Sequence, residues 1–240
     1  MKARGVLRVA AVLVVAGGLT GAALLVLPHV QGRGAVPKPL ATIVLDAGSG
    51  GYDPGAVYAG VEEEDINLAI AQRVQALAEA DGRLHVVMTR TADMYMSLEA
   101  RVAKANYVRP ALYLSIQANA SGQHPEATGV ETLVAPATAS GSPSWQLAEL
   151  VQGRVIAATG ARDRGVKKQE LYIGRIAFPA ALIETGFLSN AQERAMLQTA
   201  AYQEKVASGI LNGILAYLEY TNPSFAARAD SHAGRSSRNR

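Results

Sequence analysis

Between Thr42 and Tyr220 short apolar runs of β-like character alternate with amphipathic helical stretches, and this alternation restricts the fold more than any other feature of the chain. The strand candidates are "TIVLD" at Thr42, "LHVVMTR" at Leu84, "ALYLSIQ" at Ala111, "VETLVA" at Val130, "ELYIG" at Glu170 and "PAALIETG" at Pro179. The first helix is expected from Glu63 to Ala80, where Ile66, Ile70, Val74 and Leu77 share a face and Gly82 stops the run. Ser97 caps a second, carrying Leu98, Val102 and Ala105, and a third runs from Ser144 to Thr159 before Gly160. Asn190 to Leu197 and Tyr202 to Tyr220 supply the last two. Strand and helix in turn predict an α/β fold: a mixed, mostly parallel sheet of about six strands with helices on both faces. The ends of "DAGSGG", "SIQANA" and "IETGFLSN" would then meet along one rim, where open α/β sheets place their sites.

A chain of 240 residues, 49% hydrophobic and 18% charged, can bury a full core. Its formal charge of +3 is carried by its ends, and removing Lys2, Arg4, Arg8, Arg33 and the terminal arginines together with Asp230 leaves the middle at about −4. A mildly acidic domain lacks the basic stripe that nucleic acid requires, so no nucleic-acid partner is expected. Cysteine is absent, which excludes disulfides, thiolate zinc sites and a lipidated cysteine.

Residues 1–8 form a basic end and 9–28 an uncharged apolar segment, which reads as a signal anchor or a signal peptide, with the uncleaved anchor the expected form. The basic end would stay in the cytoplasm, giving a single pass with the domain facing the periplasm or cell wall, or a secreted domain if the leader is cleaved. Residues 29–40 read as a tether, 41–220 as the folded domain and 221–240 as a disordered basic tail.

Four polar residues fall on or beside the expected rim. Ser49 sits in a glycine turn, Glu63 opens the first helix, Gln117 ends the third strand and Glu184 lies inside an apolar strand. A carboxylate in such a strand is costly unless it is paired or functional, which makes Glu184 the strongest of the four signals. Glu63 could equally serve the positive end of the helix dipole.

The segments "IVLDAGSGGYDPGA", "EEDINLAIAQ", "VVMTRTAD", "SLEARVAKAN", "LYLSIQANA", "GVET", "DRGVK" and "PAALIETGFLSN" together resemble the zinc-dependent N-acetylmuramoyl-L-alanine amidases of cell-wall amidase type 3. The resemblance covers Thr42 to Tyr217 and implies peptidoglycan as the partner, with a cell-wall protein as a further candidate. It also implies a zinc held by two histidines and a glutamate, with a second glutamate as the catalytic carboxylate. Carried onto this chain, the histidine positions are Ser49 and Gln117, the glutamate ligand is Glu63, and the catalytic carboxylate is Glu184. Asn119 belongs to the implied groove.

A zinc-bound water needs three protein donors and an open position, and a serine hydroxyl or glutamine carbonyl is a weak donor beside imidazole. No cofactor is therefore expected, and the expected function is an extracytoplasmic amidase-like domain, catalytically impaired, that binds peptidoglycan or a cell-wall partner. Two alternatives stay open: an active amidase with a non-standard metal site, and a purely structural domain. His124, in the loop after Gln117, is the candidate substitute ligand. A hard-cation site built from Glu63, Glu184 and Asp46 is less favoured, because Asp46 is expected to brace the glycine turn. No inhibitory helix fits between Ala118 and Ala127.

Overall fold

The computed structural model describes residues 39–227. The apolar leader, most of the tether and the end of the basic tail lie outside these residues. Among the described residues no helix is long and apolar enough to cross a membrane.

The expected alternation is present as β1 (Ala41–Ala47), the short hairpin β2 (Val57–Tyr58) and β3 (Val61–Glu62), α1 (Glu63–Asp81), β4 (Leu84–Met88), α2 (Leu98–Val108), β5 (Leu112–Asn119), β6 (Val130–Val134), α3 (Pro143–Thr159), β7 (Asp163–Lys168), β8 (Ala180–Phe187), α4 (Ala191–Leu197) and α5 (Ala200–Thr221). The main sheet has six strands in the order β4-β1-β5-β8-β6-β7. All neighbours are parallel except β6 and β8, which run antiparallel. The fold class is thus the mixed, mostly parallel one that alternation predicts.

Strand parity explains the two layers of core. Ile43, Leu45, Leu114, Ile116, Ala181 and Ile183 face α1, α3 and α5, while Val44, Tyr113, Leu182 and Leu133 face the other side, with Ala105 of α2 and Ile173. Local signals set the helix ends. Ser97 Oγ accepts from the Ala100 backbone N–H, and Gly82 and Gly160 adopt the left-handed conformation that closes α1 and α3.

Two expectations are corrected. "ELYIG" is not a strand: Tyr172–Arg175 form a 3₁₀ turn, and the edge strand is "DRGVKK" instead. Four of the six residues of that strand are charged and none of the six is fully buried, so it shows no apolar run, as suits an edge. From this turn the Tyr172 hydroxyl reaches into the sheet to donate to Asp46 Oδ2, at 2.5 Å. Residues 221–227, expected to belong to the disordered tail, are structured instead. Residues 223–227 make a helical turn that buries Phe225 against the core, with the Arg83 guanidinium 5.7 Å from its ring centre.

Candidate functional site at the carboxyl rim

The carboxyl ends of β1, β5 and β8 form one rim, as the parallel pairing requires, and the start of antiparallel β6 joins it. Gln117 pairs in register with Glu184, and Glu184 with Glu131 on its other side. Glu63 arrives from the first turn of α1, where Ala118 N–H donates to its Oε1 at 3.2 Å and Ala56 N–H to its Oε2 at 3.0 Å. A Cβ on Gly55 would lie 2.5 Å from Glu63 Oε2 and 2.7 Å from Ser49 Oγ, so these two side chains converge there. The structure therefore brings together Ser49, Glu63, Gln117 and Glu184 on one rim.

The turn that carries Ser49 is fixed from below. Ser49 has φ 57°, a left-handed conformation uncommon for a residue with a Cβ, and Gly50 and Gly51 follow at 127° and 68°. Two buried arginines hold its carbonyls. Arg90 donates to the oxygens of Ala47 and Gly48, both at 2.9 Å, and Arg101 to those of Ala47 and Ser49 at 2.8 and 2.7 Å. Arg101 also donates to Asp46 Oδ1 at 2.5 Å, while Ser115 and Tyr172 hydroxyls donate to Oδ2. Burial alone would raise the Asp46 pKa, but the Arg101 charge and the tyrosine hydroxyls outweigh it and hold the carboxyl below its usual range. Asp46 braces the turn, as expected.

Asn67, one helical turn after Glu63, ties the upper residues together. Its Nδ2 lies 3.1 Å from Glu63 Oε1, 3.2 Å from Gln117 Oε1 and 3.3 Å from the Gly48 carbonyl. Gln117 Nε2 donates in turn to Ser115 Oγ, at 3.2 Å. The amide sits so close over Gly48 that a Cβ there would lie 2.1 Å from Nε2. The Gln117 carbonyl and the Glu63 carboxylate are thus engaged within the protein.

Glu184 differs. Its Oε2 is buried without a hydrogen-bond partner, and burial, followed by the Glu63 and Glu131 charges, pushes its pKa up to about 8. At neutral pH it is mainly a neutral acid, able to donate a proton rather than take one. Glu131 beside it is held charged by Arg164 at 2.7 Å and Lys167 at 2.5 Å, and Asn119 Nδ2 donates to its other oxygen at 3.0 Å. Asn119 therefore orients Glu131.

His124 stands apart, its side chain 70% exposed and 3.2 Å from Glu126. Residues 120–129 contain turns and no helix. Among the described residues no group of three or more His, Cys, Asp or Glu could hold a metal ion. The donors at the three implied ligand positions, Ser49, Glu63 and Gln117, do not fit a zinc: they offer one carboxylate with both oxygens already bonded, a primary amide and a hydroxyl. A cavity of about 530 Å³ at the amino end of β8, lined by Ala135, Ser142, Ile173 and Phe178 among others, contains no charged or imidazole group and is remote from this chemistry.

Sequence reasoning missed Asn67, Arg90, Arg101 and Glu131. Each carried a signal: Asn67 is four residues after Glu63, Arg90 ends an apolar strand, Arg101 lies on the apolar face of its helix between Leu98 and Ala105, and Glu131 interrupts "GVETLV".

The family described as N-acetylmuramoyl-L-alanine amidase matches residues 43–216. The chain belongs to that family. Among amidase relatives, N-acetylmuramoyl-L-alanine amidase LytC of Bacillus subtilis is 38% identical over 177 residues, covering 73% of this chain and 35% of LytC, so this chain spans about a third of that protein's length. The YqiI protein of the same organism is 36% identical over 202 residues, 84% of this chain and 95% of its own. The amidase fold is seen directly in the crystal structure of N-acetylmuramoyl-L-alanine amidase from Clostridium difficile 630, with a TM-score of 0.72 and 33% identity over 76% of this chain and 98% of that one.

Proposed function

We propose that this amidase-family domain binds peptidoglycan outside the cytoplasm without retaining a zinc site, and that it does not hydrolyse the bond between N-acetylmuramic acid and L-alanine. The observation that carries the reading is the Asn67-centred network, in which the Glu63 carboxylate and the Gln117 carbonyl share one donor at 3.1 and 3.2 Å. Glu63 and Gln117, which would have to face a metal, both accept instead from Asn67, Glu63 accepts further from two backbone N–H groups, and Ser49 adds only a hydroxyl. Glu184 fits the same picture. With its pKa pushed up to about 8, chiefly by burial, it is mainly protonated at neutral pH, and without a zinc-bound water it has no activated nucleophile to serve. The rim keeps its braced turn, its retained Glu63 and its Asn119, which are features of a surface still shaped for a ligand.

The test is to incubate the purified chain with purified peptidoglycan and zinc, then measure sedimentation of protein with the polymer and release of stem peptide. Co-sedimentation without release is expected. Peptide release that disappears in Glu184→Ala and on chelation would overturn the reading.

A further inference from the structure

We propose that the stacked pair Tyr52 and Tyr95 is a saccharide platform that receives an N-acetylhexosamine ring of the glycan strand, a reading that rests on the peptidoglycan binding proposed above. The two rings are parallel to within 23° with centres 3.9 Å apart, yet Tyr52 is 78% and Tyr95 40% exposed. Stacking therefore uses one face of Tyr52 and leaves the ring otherwise open to solvent.

The pair is set in place before any ligand arrives. Tyr52 follows the Ser49–Gly51 turn, and Tyr95 belongs to the loop that precedes α2. Gly51 N–H donates to Asp93 Oδ1 at 2.6 Å, and a Cβ on Gly51 would lie 2.5 Å from the Tyr95 backbone nitrogen. Gly50 and Asp53 bridge each other through their backbones at 2.7 and 3.3 Å. Arg90 joins the two loops as well, donating to Gly48 on one and to Ala92 on the other. Two rings held this way lose little freedom on binding, which is the advantage aromatic side chains bring to recognition surfaces.

Charge on the two loops favours such an occupant. Asp53 follows Tyr52 and Asp93 lies two residues before Tyr95, each with one oxygen bonded to a backbone N–H, so the loops carry negative charge that disfavours an anionic group and leaves carboxylate acceptors for hydroxyl and amide N–H donors. A pyranose ring presents C–H bonds on one face and such donors at its edge. Aromatic faces carry partial negative charge and attract those C–H bonds. The platform continues directly from Ser49, so a ring seated on it lies at the rim.

The experiment measures binding of a β-1,4-linked N-acetylhexosamine tetrasaccharide and of intact peptidoglycan to the full chain, its Tyr52→Ala variant and its Tyr52→Phe variant, with unfolding midpoints recorded for each. Tyr52 is exposed, so both variants should fold as the wild type does. Tyr52→Ala is expected to weaken tetrasaccharide binding about three- to tenfold, and Tyr52→Phe to retain it. Wild type that binds intact peptidoglycan while Tyr52→Ala binds both probes equally well overturns the platform and leaves the parent reading standing. Wild type that binds neither probe overturns both. A Tyr52→Ala effect on a protein partner with unchanged sugar binding also overturns the platform.

Discussion

Asp46 and Glu184 are buried carboxyls on the same face of one sheet, separated by a single strand. Asp46 is in register with Ser115 and Glu184 with Gln117, and Ser115 and Gln117 are two residues apart on β5. Their electrostatic fates are opposite. Asp46 lies under α2 and the 3₁₀ turn, where Arg101, Ser115 and Tyr172 all donate to it, and its pKa falls. Glu184 lies at the open end, where its neighbours are two more carboxylates, and its pKa rises to about 8. Burial alone therefore does not decide a carboxyl's charge; the donors that the fold places around it do. A scaffold acid is fully satisfied, whereas a site acid is left short of a partner.

The largest expected effect concerns Glu184. Its unfolded pKa is 4.5 and its folded pKa about 8, so between these values only the folded chain keeps the proton. Stability should fall as pH rises through that window, by roughly 5 kcal/mol at most. Glu184→Gln has no proton to lose, and denaturant unfolding from pH 5 to 9 should show a flatter profile than wild type. An unchanged slope would remove the contrast between the two acids.

Asp46 has the reverse sign. Its stabilisation is present above its unfolded pKa and is lost as pH falls through the lowered folded value. Arg101→Ala leaves the carboxyl buried without its charge partner and frees the Ser49 carbonyl, at an expected cost of about 4 kcal/mol at pH 7 in chemical denaturation.

A smaller effect is expected where the two halves of the rim meet. Asn67→Ala removes the donor shared by Gly48, Glu63 and Gln117 and should cost about 2 kcal/mol, read as a drop in the thermal midpoint. Smallest is Tyr172→Phe, which deletes one of three donors to Asp46. About 1 kcal/mol is expected, together with acid unfolding that begins at a higher pH.

Much of this could be read from residue order, for physical reasons. Periodicity marks a helix that buries one face, and an unbroken apolar run marks a strand covered on both, so α1 and β1, β5 and β8 were legible, as was Ser97 as a cap. β7 was not, because an edge strand with charged residues on it has no apolar pattern to show. "ELYIG" reads as a strand because its apolar residues are dense, and the Tyr172 hydroxyl bond to Asp46, 126 positions away, is a contact that residue order does not show. The rim followed from strand ends, and the motif resemblance pointed to Ser49, Glu63, Gln117 and Glu184 together. Asn67 stayed hidden because a polar residue inside a helix reads as solvent-facing until its partners on other elements are known.

Zinc stoichiometry bears on the proposed loss of the metal site without any assay of activity. The purified chain would be equilibrated with zinc, dialysed and analysed for bound metal beside Ser49→His, Gln117→His and the double variant. Histidine is among the residues that better tolerate the positive φ at position 49, so the turn should accept it. The wild type and each single variant are expected to retain little zinc, and the double variant close to one per chain, since three donors are needed to fix an open tetrahedral position. Near one zinc per wild-type chain, lost in Glu63→Ala, would show that the rim holds the metal after all.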